Sequence, residues 1–116
     1  MTASLIFKIM TADQWNAARR QGCFSGAPVD LADGYIHFST AAQAAETARR
    51  HFAGMSDLVV VAVEPSALGD ALRWEPSRGG DLFPHLYGTL HLAAVRWAQP
   101  LPLDSDGAHH FPEFDQ

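Results

Sequence analysis

What this chain lacks narrows it before anything it contains. It has one cysteine, Cys23, so no internal disulfide can form and nothing points to an oxidising compartment. Its longest unbroken apolar run, Leu58 to Val63, is far too short to cross a membrane. Basic side chains are scarce, with eight Lys and Arg against 13 Asp and Glu. Broad nucleic-acid binding needs a wide basic surface, and this composition argues against one. No P-loop is present, and no glycine-rich dinucleotide fingerprint follows a strand. The pairs His85/His91 and His109/His110 match no familiar metal-ligand spacing, so no metal site is expected. The segment Met1 to Met10 carries Lys8 inside its apolar run and lacks a small-residue cleavage site, which reads as a strand rather than a signal peptide. The expected setting is the cytoplasm.

The charge that is present is unevenly placed. Asp104, Asp106, Glu113 and Asp115 supply four of the acidic residues with no Lys or Arg among them. Residues 1–103 are therefore nearly neutral, and 104–116 form an acidic tail. Seven of the eight basic residues are Arg, which suits a local phosphate site but equally follows from compositional bias in an Ala-rich chain. With 116 residues, 47% of them hydrophobic, the chain can bury a core without covalent staples. One α+β domain over 1–103 is expected, with two main helices against a mainly antiparallel sheet.

Local signals place the elements. Residues 4–10 read as a first strand. Thr11 and Gln14 form a capping box that opens a helix ending near Gly22. Residues 22–34, punctuated by Gly22, Gly26, Pro28 and Asp33-Gly34, read as a loop. After a strand at Tyr35 to Phe38, Thr40 and Gln43 make a second capping box. The helix it starts has an apolar stripe of Ala41, Ala44, Ala45, Ala48 and Phe52 and stops at Gly54. Leu58 to Val63, apolar on both faces, reads as a central strand. Pro65 ends it, and Ser66 to Leu68 make a short turn. Leu72 to Glu75 and Leu90 to Ala98 are further strands, with an extended or frayed tail beyond Pro100.

Two segments interleave reactive and apolar side chains at a spacing of two, Tyr35-Ile36-His37-Phe38-Ser39-Thr40 and Phe83-Pro84-His85-Leu86-Tyr87-Gly88. In extended chain Tyr35, His37 and Ser39 share one face, and His85 and Tyr87 share another. The turn at Ser39-Thr40 leads into a helix N-terminus that can hold an anion or hydroxyl, although Thr40 acting as a simple cap explains it too. His37 and His85 can serve as acid–base groups near neutral pH, or be satisfied structural histidines. Tyr87 can stack on a planar ring or sit in an aromatic core patch. Arg73 and Glu75 share a strand face, as an exposed ion pair or as a phosphate-binding cation and a catalytic carboxylate, with Arg78 just beyond. His37, Ser39, His85 and Tyr87 are expected to line one concave pocket, with Ile36, Phe38 and Leu86 packed under the helix of residues 41–53.

These residues carry a resemblance. Gly34 to Thr40, Leu58 to Val63, Arg73-Trp74-Glu75 and Phe83 to Gly88 occur in the order seen in a family of small bacterial proteins of unknown function, over roughly residues 4–98. That family looks related to the ADP-ribosyltransferase superfamily, including the tRNA 2′-phosphotransferases. The resemblance implies a curved, split antiparallel sheet with an NAD-binding cleft, His37 and Ser39 facing it and His85 and Tyr87 on its other wall. The His-Tyr-Glu triad of typical transferases does not carry over position by position, and Glu75 has no secure counterpart. The expected function is a transferase or hydrolase acting on NAD, ADP-ribose or a related nucleotide. His37, His85 and Glu75 are the catalytic candidates, and Tyr35, Ser39, Thr40, Tyr87, Arg73 and Arg78 the ligand-binding ones. NAD enters as substrate, and no other cofactor is implied. The alternative is a non-catalytic nucleotide-binding or interaction domain.

Overall fold

The computed structural model describes residues 4–112, apart from the side chain of Arg78. Its eight strands are β1 (Ile6–Thr11), β2 (Cys23–Phe24), β3 (Ile36–His37), β4 (Leu58–Val63), β5 (Leu72–Pro76), β6 (Leu82–Leu86), β7 (Leu90–His91) and β8 (Val95–Leu101). Three α-helices join them, α1 (Ala12–Gln21), α2 (Pro28–Asp33) and α3 (Ala41–His51). The architecture is mixed α+β, with antiparallel sheets ordered β1-β4-β8, β2-β7 and β3-β6-β5. None of the described helices is long and apolar enough to cross a membrane.

β4 lies at the centre of its sheet, as its β-branched run predicts, and alternation sorts its side chains onto two faces. Val61 and Val63 join Ile6, Met10, Ala18, Ile36, Phe38 and Leu86 on one side. Leu58, Val60 and Ala62 join Leu5, Phe7, Ile9, Ala48 and Leu101 on the other. Both faces are buried, so neither reads as an alternating polar pattern. α1 covers the first face through Ala18, and α3 covers the second through Ala48. Ile36, Phe38 and Leu86 therefore pack on the α1 side, not under α3 as expected. Within α3, Ala44 and Ala48 are buried, whereas Ala45 faces solvent.

Both capping boxes form, with Thr11 paired to Gln14 and Thr40 paired to Gln43. Gln43 reaches further, donating its side-chain N–H to the Leu82 carbonyl at 2.9 Å. The start of α3 is thereby tied to β6. The segment 22–34 is not a plain loop, because it holds β2 and the six-residue α2. The expected final strand from Leu90 divides into β7, a 3-10 turn at Leu92–Ala94 and β8. β8 runs through Pro100 to the buried Leu101, and a further bridge joins Leu103 to His109. The chain after Pro100 is accordingly folded rather than frayed, while Glu113 and Asp115 lie outside the described residues.

Candidate functional site

The β3–β6 ladder builds the site. Its register sets His37 directly opposite His85, and Ile36 opposite Leu86. Since side chains alternate across a strand, Ile36 and Leu86 enter the core while both imidazoles emerge on the other face. Their ring centroids lie 5.6 Å apart, edge to face. Tyr35 completes the group, stacked on His85 at 4.1 Å and tilted against His37 at 4.7 Å. These rings line a cleft of about 860 Å³ whose walls include Lys8, Asp33, Ser39, Arg50, Phe52 and Met55. Its volume is that of a small-molecule site.

Each imidazole is held at Nδ1 by a carboxylate. His85 Nδ1 lies 2.7 Å from Glu75 Oε1, and Tyr87 donates its hydroxyl to the same oxygen at 2.8 Å. With Nδ1 donating, the neutral ring turns an accepting Nε2 outward. The His85 side chain is buried, and among the described residues no hydrogen-bond partner meets its Nε2. The His85 bond and then the Tyr87 hydroxyl hold the Glu75 carboxyl below the usual carboxylate range, against a smaller opposing effect of desolvation. The same contact raises the Tyr87 phenol above its ordinary value. Desolvation, with the charges of Asp33 and Glu75, raises Tyr35.

His37 is held more elaborately. Its Nδ1 is 2.6 Å from Asp30 Oδ1, and its Nε2 is 2.9 Å from Asp33 Oδ2. Asp30, 1% exposed, also accepts from the His37 backbone N–H, the Ala27 N–H and Lys8 Nζ. Lys8 is itself 6% exposed, so the pair is a buried one. Burial would raise the Asp30 carboxyl, but the His37 bond, the Lys8 charge and the Ala27 N–H together pull it down to about 2. Burial lowers the Lys8 ammonium, and Asp30 opposes that fall. Gly26 makes room for this carboxylate, since its φ is 129° and a Cβ there would stand 3.1 Å from the Asp30 Cβ.

A family described only as a protein of unknown function, DUF952, matches residues 9–98. The chain belongs to the DUF952 family. Its fold is shared by the crystal structure of protein CC0527 from Caulobacter crescentus, which is 50% identical. That match covers 92% of this chain and 94% of the other, with a TM-score of 0.89. The crystal structure of a double mutant of the same Caulobacter protein matches at 48% identity over the same shares, again at 0.89. Its solution NMR structure matches at 50% identity over 91% of each chain, with a TM-score of 0.82. No curated protein matches the chain.

The candidates from sequence divide in this structure. Tyr35, His37, Ser39 and His85 line the cleft together. Tyr87 does not line it, and reaches His85 only through Glu75 and the Tyr35 ring. Glu75 and Arg73 also lie outside the lining. Arg73 makes no ion pair with Glu75 within the described residues and sits 5.4 Å over the Tyr87 ring. Ser39 Oγ is bonded to Thr47 Oγ1 at 2.8 Å, while the Ser39 backbone pairs with Phe7. The Thr40 hydroxyl caps α3 away from the cleft. The side chain of Arg78 lies outside the described residues.

Lys8, Asp30 and Asp33 belong to the site and were missed. A lone lysine inside an apolar run was the available signal, because a buried ammonium demands a counter-ion. The Pro28-to-Asp30 spacing, with Pro opening a helix and Asp two residues on, was the other.

Proposed function

We propose that the cleft binds a nucleotide-like ligand such as NAD or ADP-ribose, and that the protein acts on it as a transferase or hydrolase. The observation that carries this reading is the pair of carboxylate-held imidazoles facing one another across β3 and β6 beside the Tyr35 ring. Nδ1 held by a carboxylate and Nε2 turned to a cleft is the arrangement of a general acid or base. His85 takes that role, His37 binds and polarises an oxygen of the ligand, and Tyr35 offers a ring for stacking. The resemblance of the sequence motifs to the ADP-ribosyltransferase superfamily is the reason NAD-like ligands are proposed.

Glu75 changes role in this reading. Its carboxylate is engaged by His85 and Tyr87, so it acts as a positioning residue behind His85 rather than against an oxocarbenium-like centre. Thermal-shift and NMR titrations with NAD, ADP-ribose and 2′-phosphorylated nucleotides test the proposal, alongside chromatographic assay of turnover. Binding accompanied by movement of the His37 and His85 resonances supports it. No response to any of these at millimolar ligand rejects it. The double occupancy of the His37 nitrogens favours a second reading, a non-catalytic binding domain. That reading predicts ligand binding with no product formed by the wild-type protein.

A further inference from the structure

The two carboxylates on His37 differ in kind. Asp30 is buried and fixed by Lys8, the Ala27 N–H, and the backbone N–H and Nδ1 of His37. Asp33 ends α2, lines the cleft, and its side chain is 46% exposed. Among the described residues, His37 Nε2 is the one hydrogen-bond partner of the Asp33 carboxylate. An exposed pair of this kind is worth at most about 1 kcal/mol, so another oxyanion can replace it at small cost. The incoming group would keep both His37 ring nitrogens hydrogen-bonded to oxygen. Across the ladder, His85 is buried within the same cleft, among the described residues no hydrogen-bond partner meets its Nε2, and the rings are 5.6 Å apart. A phosphate group that keeps one proton can sit there, accepting from His37 Nε2 and donating its P–OH to the accepting Nε2 of His85.

We infer that His37 Nε2 and His85 Nε2 form an oxyanion subsite for a phosphate group, and that Asp33 occupies the His37 side of it until the ligand arrives. The side chain acts as an internal competitor. The subsite rests on the cleft being a ligand site, and it specifies which chemical group of the ligand enters between the histidines. The phosphate can come from the free ion or from a phosphate monoester, and both present the same oxygens.

The test measures binding of inorganic phosphate and of phenyl phosphate to wild-type protein, Asp33→Asn and Asp33→Ala, following the imidazole resonances by NMR. Both variants change an exposed side chain, and the backbone amide spectrum reports that each is folded. The expected result is roughly two- to fivefold tighter binding in both variants, the gain expected from removing a competitor worth at most about 1 kcal/mol, with His37 and His85 resonances moving together. His85→Gln should weaken phosphate binding in wild type and in both Asp33 variants. Preference for phenyl phosphate over the free ion assigns the subsite to an ester, and the reverse assigns it to phosphate itself. Unchanged or weaker phosphate binding in both Asp33 variants overturns the inference, as does a shift confined to residues away from both histidines. Neither ligand is NAD or ADP-ribose, so the subsite can fail while nucleotide binding stands, and the reverse.

Discussion

Replacing Asp30 by Asn isolates the buried charge network, because the two side chains have nearly the same shape. Asp30 offers acceptor oxygens to four donors, which are Lys8 Nζ, the Ala27 N–H, the His37 N–H and His37 Nδ1. Asn with its oxygen at the Oδ1 position keeps three of these acceptor contacts and turns an NH2 group toward the Ala27 N–H, so at least one bond is lost. It also strands the Lys8 ammonium, 6% exposed, without its counter-ion. Breaking one side of a buried pair costs about 3–5 kcal/mol, a large share of a small domain's total stability. Urea denaturation followed by circular dichroism reads the loss as a lower midpoint at unchanged slope. Asp33→Asn is the internal control, and its exposed pair should cost under about 1 kcal/mol. Adding Lys8→Met to Asp30→Asn should recover part of the loss, since no unpaired ammonium is then left in the core. Equal costs for Asp30→Asn and Asp33→Asn would refute the reasoning, because the network would then contribute nothing beyond an exposed contact.

Four further outcomes follow from the same structure. The Asp30 carboxyl sits at about 2 in the folded protein against an ordinary value of 3.8, so its stabilising contribution is complete above about pH 4 and is lost as pH falls through 2. That loss is about 2 kcal/mol, and acid denaturation of wild type beside a protein lacking the carboxylate should show it as a difference confined to this window. Tyr87→Phe removes one of the two donors on Glu75, and NMR titration of the Glu75 carboxyl should move up toward the usual carboxylate range. Thr40→Ala deletes the α3 cap and should cost about 1 kcal/mol by urea denaturation. Leu101→Ala should cost about 2–5 kcal/mol, because Leu101 is 1% exposed beyond Pro100; a negligible effect would return the C-terminal segment to a frayed tail.

Much of the fold was legible where the deciding interaction is local. Both capping boxes join residues three apart, and the β4 run announces burial on both faces by its composition. α2 escaped because six residues give too short a span for helical periodicity. The strand beyond Pro100 escaped because proline reads as a terminator, yet β8 is an edge strand and its sheet tolerates a missing N–H there. Alternation sorted His37 and His85 onto one face of each extended segment, whereas their pairing is a register between strands nearly 50 residues apart that no local pattern sets. The network on His37 was no more legible, since Lys8 and Asp30 stand 22 residues apart and only their folded positions make them partners.

Gln43 shows how a local rule narrows when an element is placed in a fold. A capping box accepts Glu or Gln at its third helical position, because either side chain offers an oxygen to the cap N–H. Here the other end of Gln43 donates to the Leu82 carbonyl on β6, and Glu has no hydrogen to give. A two-letter alphabet becomes a one-letter one. Gln43→Glu would satisfy the helix and set a carboxylate against a carbonyl, loosening the strand that presents His85. The chemistry of the cleft thus constrains a residue that never touches it.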